Sequence, residues 1–308
     1  MDKVTISAYQ FFKKFPTEAI ARQHLEQQRW NGCVRCPHCD AAERIQTRKV
    51  EGYYRCLACK FDFTVRTGTM MERSHIPLTK WMYAVYLVAT ARKGISSMQL
   101  SKELGITQKS AWFLLQRIRE ACGNGNDAML SGIVEVDETY IGGKETNRHE
   151  SKKLKVGGGT RGKTGVIGLR ERGGHVRTAI LNGVTSDELL GHIDRVVKRK
   201  TTVCTDDHKS YHWACIHFNH KVVCHSAKEY VNGMAHTNGI ESVWALLKRG
   251  FYGTYHQFSQ KHLQRYVDEV SFRLNEGNCK VHTMDRVNAL FNKGVGTRVT
   301  YEMLVEGV

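Results

Sequence analysis

A chain of 308 residues that is 41% hydrophobic and 25% charged has the make-up of a folded protein rather than a disordered one, with room for two or three units. Lysine and arginine number 46 against 30 acids, a formal net charge of +16, which points to a polyanionic partner, nucleic acid before an anionic membrane surface. There is neither a bilayer-length apolar run nor a signal-like N-terminus, so the expectation is a soluble cytoplasmic protein whose ten cysteines serve metal rather than disulfides.

Residues 17–28 suit a helix capped by Thr17 and stopped at Trp30-Asn31-Gly32. Next come Cys36-Pro-His-Cys39 and, sixteen residues on, Cys56-Leu-Ala-Cys59. Two such knuckles supply four thiolates, the donor set of a tetrahedral structural zinc site. Cys33 could pair with Cys36 instead; the proline inside Cys36–Cys39 favours that second pair and leaves Cys33 as a spare thiol. A ribbon this small folds on its metal. Arg44, Arg48, Lys49, Arg55, Lys60 and Arg66, interleaved with Tyr53, Tyr54, Phe61 and Phe63, suit phosphate contacts.

Residues 78–94 read as an apolar helix ending at Gly94. Residues 96–119 then give a helix ending at Leu104-Gly105 and a second one capped by Thr107 and bearing Gln108, Lys109, Ser110, Arg117 and Arg119. That is the pattern of a helix-turn-helix, or of a plain helical hairpin packed on a core. After a turn-rich break at 122–127 comes the strand of residues 133–143, IVEVDETYIGG. Glu135, Asp137 and Glu138 stand among apolar residues there, and buried carboxylates need a partner or a metal. The strand is either an acidic edge or a metal-binding catalytic strand.

Residues 144–163 form a basic loop whose end, Gly157 to Thr164, matches the phosphate-loop pattern GxxxxGK[ST]. That motif needs a helix after it, and a strand pattern follows here, so the loop reads as one that grips a backbone. A hairpin over 165–184, a helix over 187–197, strands at 201–207 and 220–225, and a turn carrying Tyr211 and Trp213 between them predict a mixed α/β sheet. A helix over 238–249 carries Ile240, Val243, Trp244 and Leu247 on its apolar face, with Glu241 and Lys248 two turns apart and Asn238 one turn before Glu241. Residues 260–275 form an amphipathic packing helix.

Asp137, Asp206 or Asp207, and Glu241 offer carboxylates without histidine or cysteine, a hard-oxygen set that favours Mg²⁺ or Mn²⁺. In combination VDETYIGG, TDDHKSY, HTNGIESVWALLKRGFYGTYH and the cysteine ribbon running into FTVRTGTMME resemble the ISXO-like group of bacterial insertion-sequence DDE transposases. The resemblance runs from about residue 19 to residue 275. It implies a zinc ribbon (1–72), a helix-turn-helix region (73–128) and a ribonuclease-H-like catalytic domain (129–308). The implied activity is cleavage and strand transfer at the ends of a mobile element, on double-stranded DNA, by a homodimer or larger assembly in the bacterial nucleoid. Asp137 and Asp206 match the first two catalytic metal ligands, and Glu241 the third with Asn238 as the alternative; Asp207 is read as a neighbour. Lys248, Arg249, Lys109, Arg117 and Lys163 are the expected DNA contacts. The competing reading is a non-catalytic zinc-ribbon and helix-turn-helix regulator derived from such an enzyme. A P-loop ATPase is the remaining reading.

Overall fold

Local sequence signals start and stop most of the elements. The structure, a computed structural model, describes residues 4–123, 128–143, 149–152, 160, 162–183, 185–223 and 236–306. In chain order it holds helices α1 (Ala8–Lys14) and α2 (Glu18–Trp30), strands β1 (Ile45–Thr47), β2 (Tyr53–Cys56) and β3 (Asp62–Thr64), and helices α3 (Leu78–Thr90), α4 (Ser97–Leu104) and α5 (Gln108–Gly123). There follow β4 (Ile133–Ile141), β5 (Thr164–Glu171), β6 (Val176–Leu181), α6 (Ser186–Val196), β7 (Thr202–Asp206) and β8 (Asn219–Val223). Helices α7 (Asn238–Gly250), α8 (Leu263–Leu274), α9 (Thr283–Lys293) and α10 (Tyr301–Glu306) complete it. None of the described helices is long and apolar enough to cross a membrane. The chain divides into two compact units, Met1–Gly125 with Glu276–Val308, and Asn126–Asn275.

In the first unit the hydroxyl of Thr17 caps α2 by accepting from the Ile20 amide, and Asn31 ends it in the left-handed conformation (φ 45°). Strands β1, β2 and β3 form a small antiparallel sheet, against which Trp30 packs edge-on to Tyr54 and Phe63. Helix α3 buries nine of its residues, so it needs neighbours on all sides. Helix α9 supplies one, burying Met284, Val287, Leu290 and Phe291, and the Arg286 guanidinium donates to the Ala89 carbonyl at the end of α3. Residues 276–308 thus pack with the N-terminal elements, whereas the sequence reading carried them with the catalytic domain.

Helices α4 and α5 meet through Gly105, left-handed at φ 58°, and Thr107 accepts the Ser110 amide. The first turn of α5 reaches solvent, with Lys109 exposed, while Leu114 to Arg119 are buried. Arg117 therefore departs from its expected DNA contact. Its guanidinium donates to the carbonyls of Val299, Met70 and Glu72, because α9 and the segment beyond it cover this side of α5. Arg119, 1% exposed, is also part of the core.

The second unit is built on a five-stranded sheet of order β6-β5-β4-β7-β8. Strand β4 is antiparallel to β5 and parallel to β7, β5 is antiparallel to β6, and β7 is parallel to β8. Counted from β4 the order is 3-2-1-4-5, the ribonuclease-H-like α/β arrangement. One face of the sheet packs Val134, Val136, Ile167 and Val203 under Leu189 and Ile193 of α6. The other packs Ile141 and Val166 under Ile240, Trp244 and Leu247 of α7 and Val267 of α8.

Gly168, opposite Asp137 on β5, makes the seating of α7 possible. A Cβ there would lie 2.5 Å from the six-membered ring of Trp244 and 2.7 Å from Ile240 Cδ1. Strand β5 begins at Thr164, so a strand and not a helix leaves Lys163, which removes the helix a phosphate loop requires. Most of the expected basic loop, residues 157–159 and 161 included, and residues 224–225 of the expected strand lie outside the described residues.

Candidate active site

Alternation along β4 sorts its carboxylates. Val134, Val136 and Glu138 face α6, while Glu135, Asp137, Thr139 and Ile141 face α7. Strand β7 runs parallel to β4 with Glu135 opposite Cys204. Two residues further along both strands, beyond the last paired residues, Asp137 and Asp206 fall on the same face, and the charge of Asp206 raises Asp137. Asp206 is the last residue of β7 and its Oδ1 accepts from the His208 amide at 3.1 Å; Asp207 is exposed beyond the strand.

Helix α7 lies over this face. Trp244 Nε1 donates to Asp137 Oδ2 at 2.9 Å. Glu241, one turn earlier and exposed, accepts from the Thr237 hydroxyl at 3.1 Å. Asn238, at the start of the helix, and Lys248 continue the same exposed stripe, with Arg249 next to Lys248. Burial pushes the Asp137 carboxyl up to about 6, and the charges of Asp206 and Glu241 add to the rise against the opposing pull of a backbone amide and the Trp244 indole. On the other face Glu138 is pushed up to about 7, first by burial and then by Asp137 and Asp206, with the buried Tyr211 beside it. Asp206 and Glu241 are thus each near enough to Asp137 for their charges to act on it. Among the described residues no cation pairs with Asp137 or Asp206, which suits a divalent ion with oxygen ligands. Their oxygens do not draw within 4.8 Å of one another as a set.

Glu135, two residues before Asp137, has the opposite environment. It is 1% exposed and accepts from Arg172 Nε at 2.8 Å and from the Ile240 amide at 3.0 Å, with His236 Nδ1 at 3.2 Å. The carboxylate neutralises Arg172 and caps the N-terminus of α7, where backbone amides and the helix dipole favour a negative charge. Arg170 fastens the same turn by donating to the Gly239 carbonyl at 2.5 Å and the Ser242 hydroxyl at 2.7 Å. Gly239 is needed for the close approach, since a Cβ there would meet Glu135 Oε2 at 2.5 Å. Sequence reasoning left the role of Glu135 open and read Trp244 as apolar packing. The one local signal was a glycine in each partner segment, Gly168 inside a strand and Gly239 inside a helix.

In the first unit the Sγ atoms of Cys36, Cys39, Cys56 and Cys59 all lie within 4.8 Å of one another, a set ready for a structural zinc ion, and Cys33 stands outside it. Asp40 and Lys60, each directly after a knuckle, are left-handed at φ 57° and 60°, which turns each pair of thiols toward the other. Four clustered thiolates need a dication: burial and the neighbouring thiols push Cys59 up to about 12, while the amides of Cys59 and Ala58 hold Cys56 down to about 7. Of the remaining expected contacts, Lys109 is exposed with its ammonium 4.7 Å from the Tyr301 ring centre, and Lys163 is half-buried beside Gly142.

Residues 129–275 match the family of the ISXO2-like transposase domain, and residues 16–61 match the transposase zinc-ribbon domain. The chain is 31% identical over 250 residues to an uncharacterized protein in transposable element ISH50 of Halobacterium salinarum, covering 77% of this chain and 84% of that protein. Among solved structures it is similar to the Mos1 strand transfer complex, at 12% identity and a TM-score of 0.30, and to a pre-cleavage Mos1 transpososome, at 13% and 0.21. Each of these covers 69% of this chain and 78% of the solved one. With its ribbon, its mixed sheet and its match to a transposable-element protein over most of both lengths, the chain belongs to the ISXO2-like transposases.

Proposed function

We propose that this transposase binds the ends of its insertion sequence and catalyses metal-dependent cleavage and strand transfer of DNA. The observation that carries the reading is the placement of Asp137 and Asp206 on one face of neighbouring parallel strands, with Glu241 of α7 close enough to raise Asp137, in a chain of net charge +16. Asp137, Asp206 and Glu241 would hold Mg²⁺ or Mn²⁺, which when bound supplies activation of a water or 3′ hydroxyl and stabilisation of the departing oxygen. Glu241 is preferred to Asn238 as third ligand because its charge is felt at Asp137 and a carboxylate binds a hard cation better than an amide.

The protein's own groups prepare that site. Trp244 fixes the rotamer of Asp137 by holding one of its oxygens, and the Glu135–Ile240 bond sets the height of α7 on the sheet. Lys248 and Arg249 continue past Glu241 and would take phosphates flanking the bond that breaks; Lys109, in the exposed first turn of α5, would meet DNA in the helix-turn-helix region. Joining two element ends calls for a dimer or larger assembly.

The test is incubation of the purified protein with Mg²⁺ and a duplex ending in the element's terminal inverted repeat. Nicking at the repeat boundary is expected from the wild type and is lost in Asp137→Ala, which still binds the duplex. Cleavage by Asp137→Ala at the wild-type rate overturns the catalytic reading. Binding without cleavage by either protein would leave the regulator reading in its place.

A further inference from the structure

In the first unit Lys109, Phe113 and Arg117, one turn apart along α5, form a ladder of cations and rings with Tyr301 of α10. The Lys109 ammonium sits over the Tyr301 ring, 4.7 Å from its centre. Tyr301 meets Phe113 edge to face, with ring centres 6.2 Å apart at 86°, and the Arg117 guanidinium lies over the Phe113 ring at 4.4 Å. We infer that Tyr301 is a positioning residue for DNA binding, one that holds the ammonium of Lys109 ready for a backbone phosphate. The inference rests on the function proposed above, in which Lys109 meets DNA, and deepens it.

The segment that carries Tyr301 is pinned along its length. After α9 the Met70 amide donates to the Gly294 carbonyl at 2.8 Å, and the Gly296 amide to the Gly68 carbonyl at 2.9 Å. Arg117, 8% exposed, then donates through Nε to the Val299 carbonyl at 3.2 Å, two residues before Tyr301. Val299 and Leu304 are buried on either side of Tyr301 in the sequence, and Thr300 Oγ1 accepts from the Met303 amide at 3.2 Å at the start of α10. Arg117 thus sets the place at which the Tyr301 ring meets the first turn of α5. Lys109 and Tyr301 themselves are exposed, so a surface pair stands on a buried support. An aromatic face suits this task better than a carboxylate. A carboxylate would cancel the charge that a phosphate must find, whereas a ring attracts the ammonium through its quadrupole and leaves N–H donors for an incoming anion. A free lysine also loses rotamer freedom on meeting a phosphate, and a side chain already held loses less. At an exposed site such a contact corresponds to about two- to fivefold in affinity.

The experiment is fluorescence anisotropy of the full-length protein with a labelled duplex ending in the terminal inverted repeat, without Mg²⁺ so that binding alone is read. Tyr301→Leu, which keeps apolar bulk against Phe113, is expected to weaken binding about two- to fivefold. Tyr301→Phe keeps the ring and should bind as the parent does. Lys109→Ala should weaken binding at least as much and lower the slope of log affinity against log salt by about one. In the Lys109→Ala background Tyr301→Leu should cost nothing more, the outcome that separates positioning from a general loss of packing. The proposal is overturned if Tyr301→Leu binds as tightly as the parent, if Tyr301→Phe binds as weakly as Tyr301→Leu, or if Tyr301→Leu costs as much in the Lys109→Ala background as in the parent. It is overturned as well if Lys109→Ala leaves affinity and salt slope unchanged. Any of these results alongside Asp137-dependent nicking by the native protein rejects the positioning alone. Coupling between Tyr301 and Lys109 in a protein that never nicks rejects the catalytic reading alone.

Discussion

Gly168→Ala tests whether α7 is seated on β4 by the absence of a side chain opposite Asp137. The added methyl would lie 2.5 Å from Trp244 Cη2 and Cζ2 and 2.7 Å from Ile240 Cδ1. Carbon atoms settle at about 3.5–4.0 Å, so the indole must retreat by about 1 Å. Trp244 is 4% exposed and packed in the core under α7, so the strain falls on the helix, at about 1–3 kcal/mol. The retreat also stretches the 2.9 Å bond from the indole to Asp137, worth about 1.5 kcal/mol for a half-buried charged acceptor. Loss of glycine from the unfolded chain returns about 0.5 kcal/mol. The balance is a destabilisation of about 2–4 kcal/mol, which in a unit of this size lowers the melting temperature by about 5–10 °C. Calorimetry of the full chain reads it. Trp244→Phe removes the two clashing ring carbons, so the alanine should cost at least about 1 kcal/mol less in that background. A Gly168→Ala protein melting within about 1 °C of the parent, or an equal loss in both backgrounds, refutes the seating.

Glu135→Gln should lower the stability of the same unit by about 3 kcal/mol, read as a shift in denaturant midpoint, because Arg172 and the α7 N-terminus lose their anion together. Elemental analysis should find one zinc per chain in the parent and in Cys33→Ser, and none in Cys36→Ser, whose first unit loses its cooperative unfolding. Burial lowers the pKa of His24 below 6.5 despite its 2.8 Å bond to Asn288. The unfolded chain therefore binds the proton more readily, and the stability from neutral His24 is present above pH 6.5 and lost as pH falls toward the folded value. In His24→Gln the fall in melting temperature between about pH 7 and pH 5 should be shallower.

What could be read in the sequence was carried by neighbours along the chain. The cysteine knuckles, the Thr17 and Thr107 caps and the left-handed Gly105 are settled within five residues of where they stand, and the alternation of β4 is visible in IVEVDETYI. Illegible features depend on partners far away. Arg117 looked like a phosphate contact because a guanidinium on a second helix usually is one; the carbonyl of Val299 that helps bury it is 182 residues away. Helix α9 has no local mark that assigns it to α3 rather than to the sheet. The indole of Trp244 reaches Asp137 over 107 residues, and a tryptophan on an apolar face gives no sign that its nitrogen will be used.

The two carboxylates of β4 that share the α7 face have opposite environments, and that contrast explains the layout. Glu135 is saturated by Arg172 and the Ile240 amide, so its charge is spent on structure. Asp137, one pleat repeat on, receives an indole hydrogen bond but no cation among the described residues, and two further carboxylates raise it. A strand that buried both as Asp137 is held would be unstable, and one that saturated both would leave no ligand. Order along the helix matters as well: Glu241 directly follows the residue whose amide Glu135 binds, so the anchor fixes where the third carboxylate stands. The stable Glu135 network thus supports the repulsion that Asp206 and Glu241 exert on the buried Asp137, and a divalent cation would relieve that repulsion.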